Sequence, residues 1–278
     1  MRERLKDNLF RTWIVLSTSL VFIIVVYMFL YIFINGAGTI SREFLFSDPK
    51  GMPMGSEGGI FPAIVGSLLL MLIACVFASI LAISTAIYLV FYCSSERVKR
   101  LIHLIIQCMS GVPSIILGLF GYTSLVLHLG LGRSLISGGI TLGVMIFPYI
   151  QVRVEKTLIE VDKSVVDASY ALGVSKVYTL YKLIFPMCKF DIVSAITLAG
   201  GFAMGAAAPI ILTAAVIFAP VPESIFSPVM ALPFHLYILT GEGISLEKAY
   251  GTALVLMLIL LIINIISALI NFTRKEHE

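Results

Sequence analysis

The 278-residue chain is 59% apolar before glycine is counted and only 13% charged, where soluble domains run at roughly 45–50% apolar with glycine included and about 25% charged. So little polar surface cannot cover a water-exposed fold, and mean hydropathy stands at +1.04. A formal charge of +3 is too small to direct the chain to nucleic acid, so the placement of the charges carries the information.

In chain order, a basic segment 1–11 precedes an uncharged run over 12–41. Its apolar part, Trp13 to Ile34, exceeds the 7–15 residues of a signal-peptide core, so a retained membrane anchor is expected. Further uncharged runs cover 58–95, 101–132, 134–152, 192–222 and 249–273. Each includes the ~20 residues that cross a bilayer as helix. Hydrocarbon satisfies no backbone N–H or C=O group, and the runs are too continuous for alternating barrel strands. The expected fold class is therefore an all-α polytopic membrane protein with six transmembrane helices. A tail (1–11), a first helix with its external loop (12–57), a main transmembrane domain (58–273) and a second tail (274–278) follow in order.

A seventh uncharged run, 224–241, contains Pro228 and Pro233 and closes on Gly241-Glu242-Gly243. Two prolines five residues apart are hard to tolerate in a lipid-exposed helix, so this run belongs to an external segment, 219–248, folded as a loop or shallow re-entrant piece. With six spans and the N-terminus inside, fifteen of the 19 basic residues become cytoplasmic, leaving Arg42, Lys50, Arg133 and Lys248 outside. That is the bias of the positive-inside rule; a multi-pass protein of the cell membrane with both termini cytoplasmic is expected.

No Gly-Lys dipeptide occurs, so there is no GxxxxGK[ST] phosphate loop, and GxSxG and HExxH are missing. ATP hydrolysis by this chain itself is therefore not expected; no catalytic residue, metal site or cofactor is assigned to it. His103, His128, His235 and His277 read as interfacial or packed side chains. Cys75, Cys93, Cys108 and Cys188 contain no CxxC pair and read as small apolar packing residues. The spans carry no Asp, Glu, Lys or Arg, so the energy for transport is expected to enter through the cytoplasmic loops.

The longest of these, 153–191, reads as helix, bend, helix. Ser164-Val-Val-Asp167 has capping-box spacing, and Gly173 would end that helix. Ser175 would cap a second one, with Val177, Leu180, Tyr181 and Ile184 on one side and Pro186 closing it. A basic amphipathic loop lying on anionic headgroups is the plainer alternative. Asp167-Ala168-Ser169, then Gly173, then Pro186 resembles the EAA loop of membrane subunits of binding-protein-dependent ABC importers, with Asp for Glu and Ser for the second Ala. In that family the first short helix docks in a groove of the ATPase, which implies that Asp167, Ala168, Ser169, Ala171, Gly173 and Pro186 form the ATPase-coupling element. Small residues allow close approach, and glycine allows the bend. For Asp167, helix capping and partner contact both stay open.

The resemblance extends over about 58–270. Gly58-Gly-Ile-Phe-Pro-Ala-Ile-Val-Gly-Ser67, Val112-Pro-Ser-Ile-Ile-Leu-Gly-Leu-Phe-Gly-Tyr122, Pro228-Val-Met-Ala-Leu-Pro-Phe-His235 and Ala249-Tyr-Gly-Thr-Ala-Leu254 resemble stretches of PstA-type permeases of phosphate ABC importers. This implies the type I ABC importer permease fold, six spans and a coupling loop. It also implies an ATPase subunit dimer, a companion PstC-like permease (or a second copy of this chain) and an extracytoplasmic substrate-binding protein as partners, with membrane lipid around them.

Where the family resembles Arg-Ala-Ile-Gly-Glu-Thr-Ala-Pro, this chain reads Phe202-Ala-Met-Gly-Ala-Ala-Ala-Pro209. Phe202 and Ala206 stand where an arginine and a glutamate would, and neither offers phosphate a charged fork. Two accounts follow. In one the companion supplies the cation and this subunit supplies backbone N–H groups where Gly200, Gly201, Gly205 and Pro209 loosen the helix. In the other the cargo is a different oxyanion or small solute. Phe202, Gly205, Ala206, Pro209, Pro113 and Ser114 are the pathway candidates. For the glycines of Gly201-x-x-x-Gly205 and Gly139-x-x-x-Gly143, helix packing is the competing role. A stand-alone secondary transporter or channel is the functional alternative, and a membrane-embedded enzyme is the least supported.

Overall fold

The computed structural model describes residues 2–275. Five helices are long and apolar enough to cross a membrane, or six when one sharply bent pair counts as a span. The first, α1 (Arg2–Gly36), takes in most of the tail placed at 1–11. It runs down the outside of the bundle and packs on the start of the last helix, where the Tyr31 and Tyr250 hydroxyls lie 3.2 Å apart; in the turn that follows it, Thr39 donates to the Glu247 carbonyl. A short helix α2 (Arg42–Phe46), capped by Ser41, and an antiparallel hairpin of β1 (Pro49–Lys50) and β2 (Glu57–Gly58) close this end, the hairpin end.

The core is a close-packed pair, α3 (Phe61–Ile87) and α6 (Leu135–Ile159). On α3, Ala74, Ala78, Ala82 and Ala86 recur every fourth residue and are fully buried. Opposite, a Cβ on Gly139 would stand 2.4 Å from Ile73, and one on Gly143 2.7 Å from Phe77. Gly139-x-x-x-Gly143 is thus a packing motif, where absent side chains let two backbones approach.

The third expected crossing, 101–132, is not one helix. After a π turn at Tyr88–Tyr92, α4 (Glu96–Ser110) packs beside the loop-end half of α6 and bends 99° into the segment Ser114–His128, whose first part is α5 (Ser114–Gly121). Pro113 enforces the elbow: it cannot donate back into a continuous helix and disfavours α geometry before it. The crossing part is therefore shorter than expected, about 22 Å for 15 residues.

The 153–191 loop also differs. Helix α6 continues to Ile159; α7 (Lys163–Ala171) and α8 (Lys176–Thr179) follow at the loop end. Helix then continues unbroken from Lys176 to Met204, through a π turn at Leu180–Ile184 into α9 (Phe185–Met204). Pro186 therefore does not close a helix. It sits in the first turn of α9, and the widened turn before it absorbs the missing N–H. The fifth span accordingly begins earlier than 192 and ends at Gly205, not at 222. Helix is regular through Gly200 and Gly201, breaks at 205–207, and resumes as the short α10 (Ala208–Thr213).

The 219–248 segment folds back into the hairpin end. Ala215 and Val229 form a parallel bridge, and α11 (Leu232–Gly241) spans about 15 Å, too short for a crossing of ~30 Å. Its start is pinned where the Leu232 N–H donates to Ser67 Oγ at 2.8 Å, and where Gly66 lets the Met230 carbonyl come close; a Cβ there would lie 2.0 Å from that oxygen. The last helix, α12 (Leu246–Lys275), returns to the loop end. Residues 276–278 of the expected tail 274–278 lie outside the described residues.

His235 is buried in α11, its ring edge-on to Phe218 and its Nδ1 without a hydrogen-bond partner. Burial, with the positive charge of Lys248 adding to it, pushes its pKa down to about 4. The fold keeps His235 neutral while the unfolded chain protonates near pH 6.5, so stability falls as pH drops below 6.5 and levels off near 4. The loss at pH 5 should be about 2 kcal/mol. Thermal unfolding in detergent at pH 7.5 and 5.0 checks this: His235→Gln should lose distinctly less stability on acidification than wild type, and equal losses would refute it.

Candidate functional site

Two places gather the residues singled out in the sequence. At the loop end, α7 is capped by Asp162, whose carboxylate accepts from the Ser164 N–H at 2.9 Å. Hydrogen bonds from Ser164 hold this carboxyl below its ordinary range. The expected Ser164–Asp167 capping box is therefore absent. The helix begins at Lys163, so Ser164 already lies inside it, and an aspartate two residues ahead takes the free donor. That releases Asp167, which is exposed and lines a cavity of about 420 Å³ with Lys99, His103 and Lys163. In its floor, His103 Nε2 meets Glu155 at 2.8 Å, and Gln151 donates to the same carboxylate at 2.7 Å. The His–Glu pair joins residues 52 apart in sequence and carries no helical-spacing signal.

Gly173 ends α7 with φ +77, the left-handed geometry that favours glycine. Ser175 caps α8 by accepting from Tyr178 N–H. The two short helices are tied by a 2.8 Å hydrogen bond between Ser169 and Thr179. Ala168, Ala171 and Pro186 are exposed. Leu172 is 82% exposed, with Val177, Tyr178 and Tyr181 also outward. Val177 and Tyr181 thus part from Leu180 and Ile184, which are buried; each pair is four residues apart, and the two occupy adjoining faces of the helix.

The second place is an open cavity of about 650 Å³ in the bundle wall, lined by Ser114, Phe202, Gly205, Ala206 and Asn264 among others. Four of the six pathway candidates therefore meet. Pro113 instead forms the exposed elbow, and Pro209 is buried against α5, where a Cβ on Gly118 would stand 3.0 Å from its Cα. Gly201 and Gly205 both line the cavity; they differ in exposure, Gly201 being buried with Ile263 of α12 beside it and Gly205 exposed. Phe202 stacks on Tyr149 with ring centroids 5.0 Å apart. Sequence reasoning misses Asn264, an amide within the last apolar run, which donates to the Leu260 carbonyl at 2.8 Å. An amide in mid-run, seven residues before Asn271, was its available signal. No charged side chain lines the cavity, and no group of three metal-ligating residues occurs among the described residues.

A bundle of broken and crossing helices around a wall cavity, with a bent double helix at one end, is a transport architecture. The chain belongs to the family of binding-protein-dependent transport system inner membrane components, matched over residues 80–274, and is a multi-pass membrane permease. It is 32% identical over 211 residues to the probable phosphate transport system permease protein PstA of Methanocaldococcus jannaschii, covering 75% of this chain and 74% of that one. It is 27% identical to the probable ABC transporter permease protein YqgI of Bacillus subtilis, over 95% of both chains. Against the phosphate transport system permease protein PstA 1 of Mycobacterium tuberculosis it is 27% identical over 100% of this chain and 92% of the other. Its fold is similar to that of a chain in inward-facing structures of the MetNI methionine ABC transporter, with a TM-score of 0.61 at 16% identity over 75% of this chain and 93% of that chain. This is the type I importer fold expected from the sequence.

The Ser169–Thr179 bond is the tie that an exposed loop can lose. A net hydrogen bond contributes about 1 kcal/mol, so Ser169→Ala should open α7 from α8 about fivefold more often. Limited trypsin digestion at Lys176 should accelerate by that factor; an unchanged rate would show that the bond does not hold the bend.

Proposed function

We propose that this chain is one permease subunit of an ATP-driven importer that moves an oxyanion, phosphate foremost, into the cytoplasm by alternating access. The observation that carries the reading is the continuous helix from Lys176 to Met204. It begins in the exposed α7–α8 bend and ends in the cavity wall at Phe202 and Gly205, about 42 Å away. A push on one end of so long a helix is felt at the other.

In this reading the loop end is cytoplasmic. Asp167, Ala168, Ala171 and the outward Leu172 form the surface that a partner ATPase dimer grips, since exposed apolar side chains at a water-facing bend gain by being covered. ATP binding, with Mg in the partner, closes the two ATPase halves and displaces α7. The 176–204 helix follows, changing which side of the cavity is open. Gly173 serves as the hinge, Pro186 and its π turn as the compliant joint, and Ser169 as the tie. A companion permease of similar fold, or a second copy, completes the cavity, and an extracytoplasmic binding protein delivers cargo to the hairpin end.

The relatives named for phosphate support that cargo. The cavity's lack of charge implies that the cation opposite the phosphate comes from the companion, while Ser114, Asn264 and the broken backbone at Gly205 offer neutral donors. That same lack of charge favours a second reading, a less charged oxyanion or small solute. A stand-alone transporter has no charged cavity group to couple to an ion gradient.

Gly173→Pro should abolish substrate-stimulated ATP hydrolysis by the reconstituted complex while insertion is retained, because proline cannot adopt φ +77; full stimulation would refute the hinge. For the cargo, Phe202→Arg should lower the KM for phosphate uptake about tenfold, as one added charge-assisted hydrogen bond would. An unaltered KM would remove Phe202 from the pathway.

A further inference from the structure

On α6, Met145, Tyr149, Arg153 and Lys156 follow one another at intervals of four, four and three residues, so they share one helix face. Met145 lines the wall cavity. Tyr149, one turn further along, packs on Phe202 of that cavity's wall. Directly beyond, toward the loop end, a second cavity of about 360 Å³ opens between α4 and α6, lined by Tyr149, Arg153, Lys156, Gln107 and Ser110. The aromatic pair thus stands between two cavities, Phe202 lining the uncharged one and Tyr149 the one that holds a guanidinium.

The charges around the second compartment leave that guanidinium unspent. Lys156 is offset by Glu160 at 3.7 Å. Glu155 is turned to another side of α6, where Gln151 and His103 hold it. Among the described residues Arg153 forms no ion pair with any carboxylate. Beside it are an amide at Gln107, hydroxyls at Tyr149 and Ser110, and no carboxylate in the cavity wall. A planar guanidinium with neutral donors around it suits a tetrahedral oxyanion, which accepts two parallel N–H bonds from arginine and further ones from amide and hydroxyl.

We propose that Arg153, with Gln107, Ser110 and Tyr149, forms an oxyanion-binding subsite beyond the Tyr149–Phe202 pair, the station that receives the anion as it leaves the uncharged cavity. The inference rests on the oxyanion-import reading above and locates within this chain a cation that its central cavity lacks. The phosphate of an anionic lipid headgroup presents the same chemistry.

The test reads Arg153 directly, without transport. The intact complex in nanodiscs is modified with phenylglyoxal, and adduct formation at Arg153 is followed by mass spectrometry, with Arg97 and Arg100 as internal references. In phosphatidylcholine nanodiscs, inorganic phosphate should slow modification of Arg153 at least threefold relative to chloride at equal ionic strength, leaving the references unaffected. Gln107→Leu should reduce this protection. If phosphatidylglycerol in the nanodisc protects Arg153 and added phosphate does nothing more, the subsite stands with a headgroup as its ligand. Arg153 reacting at one rate under all three conditions would overturn the proposal. Phosphate uptake, measured separately on the same complex, reads the import function: absent uptake with Arg153 still protected would sink that function and leave the subsite.

Discussion

The contact on which the rest of the molecule depends is the close approach of α3 and α6. Four alanines of α3 and two glycines of α6 remove the side-chain volume that normally keeps helix axes 8–10 Å apart. In lipid, apolar side chains gain nothing by leaving hydrocarbon, so dispersion between tightly fitted backbones has to hold the helices together. Once this pair is fixed, α9 packs in turn, with Gly200 against Cys75, and Ser67 and Gly66 fasten the external segment. The wall cavity exists because α9 breaks at Gly205 while α6 and α12 continue past it.

How much of this was legible beforehand follows from the physics of each element. Long uncharged runs are read easily, because hydrocarbon leaves no alternative to helix, and the six-span fold and its family came from them and from a few quoted stretches. Gly173 and the Ser175 cap in the 153–191 loop were equally readable, since left-handed geometry and side-chain capping are local. The Ser164–Asp167 cap was misjudged because Asp162 competes for the same donors, and the choice between two caps depends on where the helix starts. Pro186 looked like a terminator, and a π turn made it tolerable; nothing in hydropathy signals such a turn. The 99° elbow was hidden because α4 and α5 are both uncharged beyond Arg100.

Sites assembled across the fold were the least legible. His103 and Glu155 meet from distant stretches, and Asn264 joins Ser114 and Phe202 only after α12 has packed beside α9. Glycine motifs were ambiguous for a related reason. The same Gly-x-x-x-Gly spacing is packing at 139 and 143, yet at 201 and 205 both glycines line a cavity. The spacing places both on a helix face without saying what lies opposite.

The right-angled junction at Pro113 has a mechanical meaning of its own. One arm, α4, packs beside the loop-end half of α6 and is joined to it through His103 and Glu155, while the other arm carries Ser114 at the cavity's edge. Because both arms meet at one corner, the His103–Glu155 pair and the Ser114 hydroxyl are ends of a single angled strut: where α4 is held against α6 fixes where that hydroxyl stands in the cavity wall.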